Sequence, residues 1–344
     1  MNDIIILILI SLSTLYLVKL ISNKYDLLLY IPNNSHKDVF KNKIYNIGGL
    51  ILFLNIILIF FIFSENFHLN LYNLFFIFFV FLIGVISDIK EFDAKLRLIF
   101  LSVIVFFFVF SNNLVILDLQ FTIINNFFSN YIFFSFLFAS LCIIILINGI
   151  NFIDGVHGLS IFYSITIIIL LNIFLYRIDP INYFPNQSIF LIPILFILFI
   201  ENIREKIFFG DSGSYLIGCL LAVFIISQTK EALTSYPYVY ANMLIYPAFE
   251  VLFSIIRKFL NKQNPLKADK RHLHHLIQNI FLLKNVSLKN SKILSGLLIN
   301  FSIIIFNLFA IYFFKEKIIL IFNIFFFVIF YSLVYLLLSK KLKI

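Results

Sequence analysis

Charged side chains are scarce in this chain. Asp, Glu, Lys and Arg make up 12% of its 344 residues, against about 25% in an ordinary globular protein. Hydrophobic residues make up 62%, so there is too little polar surface to cover a water-soluble particle, and a soluble globular fold is excluded. Cysteine is nearly absent as well. Cys142 and Cys219 lie in apolar stretches, without the spacing of a disulfide framework or a metal set, and read as buried structural residues. No basic leader precedes the first apolar run, which opens Met1-Asn2-Asp3 and is followed by Lys19 and Lys24; a retained first helix is expected rather than a cleaved signal. No polar stretch is long enough for a soluble domain, because the longest, 257–292, is too small to enclose a core. The alternation of a membrane barrel is missing too: Phe76 to Ile86 is almost unbroken apolar sequence.

What remains is a helical membrane protein. A crossing helix needs about 20 apolar residues to span a hydrocarbon layer about 30 Å thick. Eleven segments qualify, some of them short: 4–21, 44–64, 71–87, 98–111, 131–147, 160–176, 188–200, 213–228, 238–256, 293–314 and 318–338. The expected fold is therefore all-α, a single polytopic domain over 1–344 with about eleven transmembrane helices. With the N-terminus outside, every Lys and Arg except Arg177, Lys230, Lys315 and Lys317 falls at or next to an inner segment. That bias is what the positive-inside rule demands, so the N-terminus is expected in the periplasm and the C-terminus in the cytoplasm. The net charge of +9 then reflects topology and affinity for anionic headgroups and phosphates. Nucleic acid is not expected as a partner, since the cations are dispersed among crossings.

Four polar clusters interrupt the apolar sequence, and on this topology all four face the same side. The first is Ser87-Asp88, with Lys95 and Arg97 following in the same inner segment. The second runs from Asn148 to Leu159 (NGINFIDGVHGL). Its Asn148, Asn151, Asp154 and His157 recur every third residue, which in helical geometry places two amides, a carboxylate and an imidazole in one row beyond the crossing that ends near Ile147. A glycine-capped helix end would use similar residues. The third is Phe209 to Ser214 (FGDSGS), where Asp211 among small residues at a helix start suits an oxygen-ligated metal, with free amides for phosphate oxygens; a plain helix cap is the structural alternative. The fourth is Arg271 to His275 (RHLHH), on the cytoplasmic loop 257–292. No cysteine or further inner histidine completes a zinc set there. With Lys267, Lys270 and Arg271 beside them, His272, His274 and His275 read as a phosphate and leaving-group clamp. Glu250 lies inside a crossing after Pro247, where an acid either lines the site or pairs locally.

In order and spacing these clusters resemble the polyprenyl-phosphate N-acetylhexosamine-1-phosphate transferases (glycosyltransferase family 4, undecaprenyl-phosphate GlcNAc-1-phosphate transferase-like). The matching pieces are Gly48-Gly49, GVISDIKEFDAKLRL at 84–98, NGINFIDGVHGL at 148–159, KIFFGDSGSYLIG at 206–218 and NPLKADKRHLHHLI at 264–277. The resemblance implies a cleft on the cytoplasmic face of the bacterial inner membrane. There a UDP-HexNAc would give its sugar-1-phosphate to undecaprenyl phosphate, releasing UMP, with Mg²⁺ as cofactor, Mn²⁺ as a substitute, and a homodimer as one arrangement. It implies Asp88 and Asp154 as catalytic acids, Asp211 and Asn151 as metal contacts, and Lys95 and Arg97 as diphosphate-contacting cations. Asn148, His157, Asn202, Gly210, Arg271, His272, His274 and His275 would be substrate contacts. The chain departs from the family's pattern where Ser87 replaces the first of two paired aspartates and where His157 replaces the usual second Asp or Asn of DGxDG. In the first loop Pro32 and His36 are kept, but His36 is far from Gly48 and the usual Pro-Arg before the glycines is missing.

The default donor is UDP-GlcNAc, with QuiNAc or FucNAc donors as alternatives, serving an envelope polysaccharide of O-antigen or teichoic-acid type. Three rival readings share parts of the pattern: a phospho-MurNAc-pentapeptide transferase of peptidoglycan synthesis, a transporter, and an inactive scaffold. Since a phosphate monoester ionises near neutrality, the acid at Asp88 is expected to orient the lipid phosphate more than to deprotonate it. Asp88→Ala should then lower turnover more than substrate binding, measured as kcat against donor Kd; equal losses in both would contradict that role.

Overall fold

The structure, a computed structural model, describes residues 2–26, 28, 44–63, 71–90, 92–181, 187–231, 236–267, 269 and 271–343. Pro32, His36 and Lys270, singled out above, lie outside the described residues. The described residues are mostly helical: α1 (Asn2–Tyr25), α2 (Gly48–Ile62), α3 (Leu71–Ile89), α4 (Ala94–Ser111), α5 (Thr122–Asn130), α6 (Ile132–Ile153) and α7 (Leu159–Ile178) come first. A 3₁₀ turn (Gln187–Leu191) leads into α8 (Ile192–Ile203), followed by α9 (Gly210–Glu231), α10 (Pro237–Leu260), α11 (Leu273–Leu283), α12 (Leu288–Tyr312) and α13 (Lys317–Leu342). Among the described residues the one extended pairing is an isolated parallel bridge between Tyr45 and Ile207.

Each of the eleven apolar segments is helical. Eight helices, α1, α4, α6, α7, α9, α10, α12 and α13, are long and apolar enough to cross a membrane by length and composition. The remaining three segments coincide with the apolar helices α2 and α3 and the unit Gln187–Ile203. Two helices were not anticipated. α5 is a nine-residue piece with only Phe128 buried, too short for the length criterion. α11 lies inside the segment 257–292, so that stretch is a docked helix rather than a plain loop; Leu273, Leu276 and Ile277 bury one side of it. α4 starts at Ala94, several residues before the apolar run, because the Asp93 carboxylate accepts from the amides of Lys95 and Leu96 and caps the helix. Of the two cysteines, Cys219 is buried as expected, whereas Cys142 is only half-buried; both are free.

α9 is the central post and is mostly buried, whereas α1 and α13 face outward. Glycines let three helices approach it. A Cβ on Gly49 of α2 would lie 2.4 Å from the Gly213 nitrogen, one on Gly84 of α3 would lie 2.4 Å from Ser212 Cα, and one on Gly218 would lie 2.9 Å from Ile147 Cα of α6. The contacts at Gly49 and Gly84 are at the first turn of α9, so α2 and α3 converge where Asp211 sits. Polar side chains tie helices together inside the apolar mass, as in Asn323 Nδ2 to Asn242 Oδ1 at 2.8 Å and Ser11 Oγ to Asn55 Oδ1 at 3.1 Å.

Pro247 interrupts α10. A proline has no amide hydrogen, so the carbonyl four residues back, Met243 O, loses its helical donor. The buried Tyr163 hydroxyl of α7 supplies the replacement, donating to Met243 O at 2.8 Å. On the opposite side of the break, Gly149 of α6 comes so close that a Cβ there would be 2.5 Å from Pro247 O. Tyr163→Phe would leave the Met243 carbonyl without this donor, and is expected to destabilise the protein by about 1–3 kcal/mol, read as a lower thermal midpoint in detergent. An unchanged midpoint would show that the carbonyl finds another donor.

Candidate active site

The four polar clusters lie at one end of the bundle, where α3, α6, α8 and α10 finish and α2, α4, α9 and α12 begin. They surround a cleft of about 700 Å³. Of the residues singled out from sequence, Asp88, Arg97, Asn148, Asn151, Asp154, His157, Asn202, Gly210, Asp211, His272 and His275 line it. Lys95, Arg271 and His274 do not: Lys95 and Arg271 point to solvent, and His274 is fully buried behind the wall.

The centre is built on the N-terminus of α9. Gly210 turns the chain into the helix with φ of +74°, a conformation that suits glycine. The Asp88 carboxylate, from the end of α3, accepts from the amides of Asp211 at 2.8 Å and Ser212 at 3.0 Å. These amides were expected to be free for phosphate; the structure gives them to Asp88, because an anion at a helix N-terminus satisfies its unpaired donors. Asp211 then projects from the first turn with its own carboxylate held from three sides. Asn151 Nδ2 donates to Oδ1 at 2.7 Å, while Ser87 Oγ and Arg97 Nη1 donate to Oδ2 at 2.5 and 3.1 Å. Asn151 Nδ2 also reaches Ser214 Oγ at 3.0 Å, which ties α6 to α9.

The polar row of the second cluster holds only in part. α6 runs on to Ile153, so Asn148 and Asn151 occupy its last turns and Asp154 is its C-terminal cap residue. The chain then folds over, with Gly158 at φ of +76° starting α7, and His157 leaves the row. Asp154 accepts a hydrogen bond from Ser160. Burial pushes its carboxyl well above the usual carboxylate range, an effect Ser160 opposes and the charges of Asp211 and Asp88 reinforce. His157 is buried against Phe208, with Glu205 Oε1 3.2 Å and Lys292 Nζ 3.5 Å from its Nε2. Burial, then Lys292 and Lys289, push the His157 imidazole down to about 3, so the ring is neutral. Asn202 is already committed: Oδ1 accepts from Gly158 N at 2.7 Å and Nδ2 donates to Ile207 O at 3.1 Å, bracing two loops of the cleft.

The histidines arrive on α11. His272 precedes that helix, and its Nδ1 is 2.9 Å from Oε1 of Glu250, which also accepts from Leu273 N at 3.3 Å. Tyr331 OH donates to Glu250 Oε2 at 2.7 Å. Of the two outcomes expected for the intramembrane acid, it pairs locally, and the pairing docks the histidine helix. His274 stacks on His272 with centroids 5.6 Å apart and packs against Gly155, where a Cβ would be 2.3 Å from Nε2. Burial and the neighbouring His275 and His272 rings hold His274 well below the ordinary histidine range. Two contributors went unnoticed in the sequence. Asp269 receives both oxygens' bonds from Arg257, at 3.1 and 2.9 Å, and Lys258 donates to the carbonyls of Pro265 and Lys267 at 3.1 and 2.6 Å. Together they shape the turn that brings His272 to the cleft; the only available signal was cations directly after a crossing.

Residues 70–229 match the model of the glycosyl transferase family 4. A Bacillus subtilis protein described as a probable undecaprenyl-phosphate N-acetylglucosaminyl 1-phosphate transferase is 28% identical over 177 residues, 46% of this chain and 49% of the relative. A Mycolicibacterium smegmatis decaprenyl-phosphate N-acetylglucosaminephosphotransferase is 31% identical over 158 residues, 39% of this chain and 38% of the relative. A Thermotoga maritima undecaprenyl-phosphate alpha-N-acetylglucosaminyl 1-phosphate transferase is 33% identical over 72 residues, 21% of this chain and 23% of the relative. The chain thus spans about half, or less, of the length of these curated relatives. The family resemblance read from the motifs is borne out, and the family-matched stretch holds the first three clusters but not the histidines.

Gly210→Ala would place a Cβ 2.8 Å from Asp88 Oδ2 in a backbone conformation that L residues rarely adopt. It is expected to loosen the Asp88 cap and lower the thermal midpoint, by about 1–3 kcal/mol of stability. A wild-type midpoint would mean that the cap tolerates the displacement.

Proposed function

We propose that this protein transfers a HexNAc-1-phosphate from a UDP-sugar to undecaprenyl phosphate, releasing UMP and leaving a polyprenyl diphosphate-sugar. The observation that carries this reading is the convergence of Asp88, Asn151 and Asp211, from three separate helices, on the first turn of α9. The wall of the same cleft adds Arg97, Lys267 and Lys292 to apolar side chains such as Leu141, Ile144, Val251 and Ile255. A charged floor beside an apolar flank suits an acceptor whose phosphate is ionic and whose tail is hydrocarbon. The lengths of the eight candidate spans and the distribution of cations support a bacterial cytoplasmic membrane enzyme with this end of the bundle toward the cytoplasm.

The reaction is read as direct displacement. An oxygen of the lipid phosphate forms a bond to the sugar-proximal phosphorus, the bond from that phosphorus to the bridging oxygen breaks, and UMP departs with the bridging oxygen. Bringing two phosphates together concentrates negative charge, so positioned donors and cations carry most of the catalysis. Arg97 and the basic wall would draw the diphosphate in, and His272 and His275 would hold donor oxygens at the far side. Asp154, whose carboxyl is pushed up by burial and by the charges of Asp211 and Asp88, would add less repulsion toward the incoming phosphates than an ordinary carboxylate. Asp88 acts through α9, fixing the turn from which Asp211 projects.

Among the described residues no group of three or more His, Cys, Asp and Glu side chains could hold a metal by itself. Mg²⁺ asks for less, since it is commonly held by one or two carboxylates with phosphates and water. Asp211, part-exposed to the cleft, with the carboxamide of Asn151 beside it, fits that sharing. Bound there, the ion would neutralise charge on the phosphoryl oxygens.

The experiment is a panel of UDP-HexNAc donors, with UDP-MurNAc-pentapeptide alongside, offered to purified protein with undecaprenyl phosphate and Mg²⁺ and scored for UMP and lipid-linked product. A UDP-HexNAc is expected to react, and Asp211→Asn and Asn151→Ala to lower the rate roughly 100-fold or more. Product only from the pentapeptide donor would reassign the substrate; no UMP from any donor would refute the reading.

A further inference from the structure

We infer that Arg97 holds the place of a cation at Asp211, so that a divalent ion gains that carboxylate only together with a diphosphate that draws the guanidinium away. The inference rests on the reading of Asp211 as the ion's ligand and adds an order of binding to it. A carboxylate offers about four acceptor positions, and three donors already converge on this one. Asn151 Nδ2 takes Oδ1, while Ser87 Oγ and Arg97 Nη1 share Oδ2. The same Nη1 is 2.9 Å from Ser87 Oγ, closing a triangle of serine, arginine and carboxylate.

Ser87 makes this triangle possible. An ionised acid at position 87 has no proton to give; it would repel Asp211 and compete with it for Arg97. A hydroxyl instead donates to Asp211 and accepts from Arg97, so it strengthens the pairing that an acid would weaken. The guanidinium is steadied on its other side by the Tyr215 ring, 5.6 Å from its central carbon, and the side chain remains 20% exposed where it lines the cleft. Its remaining N–H groups are placed for bidentate contact with a phosphate. Mg²⁺ dehydrates reluctantly and gains little from one carboxylate already neutralised by an arginine. A diphosphate changes both sides of that balance. It offers Arg97 a new anion and brings the ion the oxygens that Asp211 alone does not supply.

The test is Mn²⁺ binding to the full chain in detergent, followed by electron paramagnetic resonance, with and without UDP. Wild type is expected to bind Mn²⁺ weakly alone and at least tenfold more tightly with UDP. Arg97→Gln should bind Mn²⁺ at least tenfold more tightly than wild type without UDP, and Ser87→Asp should move in the same direction. Lys95→Gln, which removes an equal charge from an exposed position of the same helix, should change the affinity less than threefold. Equal affinity of wild type and Arg97→Gln without UDP would overturn the inference, as would a Lys95→Gln effect as large as that of Arg97→Gln. Asp211→Asn should abolish binding in every background. If binding survives it, the ion does not sit on Asp211, and the assignment of that ligand fails together with the proposal built on it.

Discussion

The reacting end of the cleft depends on one contact, the Asp88 carboxylate on the amides of Asp211 and Ser212. A helix N-terminus presents unpaired N–H groups and a partial positive charge. Where such a terminus is packed between other helices, an acceptor from the protein can meet them in place of water. Asp88 meets two of them from another helix, and in doing so it joins the end of α3 to the start of α9. That junction sets where Asp211 points, and Asn151, Ser87 and Arg97 bring α6, α3 and α4 to the same carboxylate. The site is therefore a property of helix ends meeting, and each of its polar groups also holds the bundle together.

The close approach of backbones makes such a junction possible. Gly49 and Gly84 remove the side chains that would keep α2 and α3 away from the first turn of α9. At the histidine side the linkage is polar instead. Glu250, deep in α10, meets His272, Leu273 N and Tyr331, so α11 is set by a buried carboxylate both of whose oxygens are engaged. On the proposed function this gives two rigid walls for the two phosphates: the α9 turn for the reacting centre and α11 for the donor.

Much of this was legible in the residues. The eleven apolar runs are all helical, and three of the four clusters lie within the family-matched stretch. The convergence of Asp88, Asn151 and Asp211 followed from order along the chain once the crossings alternated. What escaped was decided by geometry beyond the reach of spacing. The three-residue repeat from Asn148 to His157 suggested a single row, but α6 ends at Ile153 and the fold-over carries His157 to Glu205 and Lys292. Asn202 looked like a ligand contact, yet both ends of its amide are spent on loop backbone. α11 was hidden in a basic segment because an eleven-residue helix is too short for a crossing pattern and its apolar face covers few positions. Arg97 was picked out as a phosphate contact, but its pairing with Asp211 through Ser87 depends on how α3 and α4 sit, which no motif records.

The proposed chemistry turns on a single displacement in which both phosphates occupy the cleft together. The most direct test incubates the purified protein with UDP-HexNAc and labelled UMP and follows label into the nucleotide sugar. Direct displacement predicts no exchange until polyprenyl phosphate is added, because no sugar phosphate is ever held by the protein alone. Exchange without the lipid acceptor would contradict it and require a covalent intermediate on one of the site's own side chains.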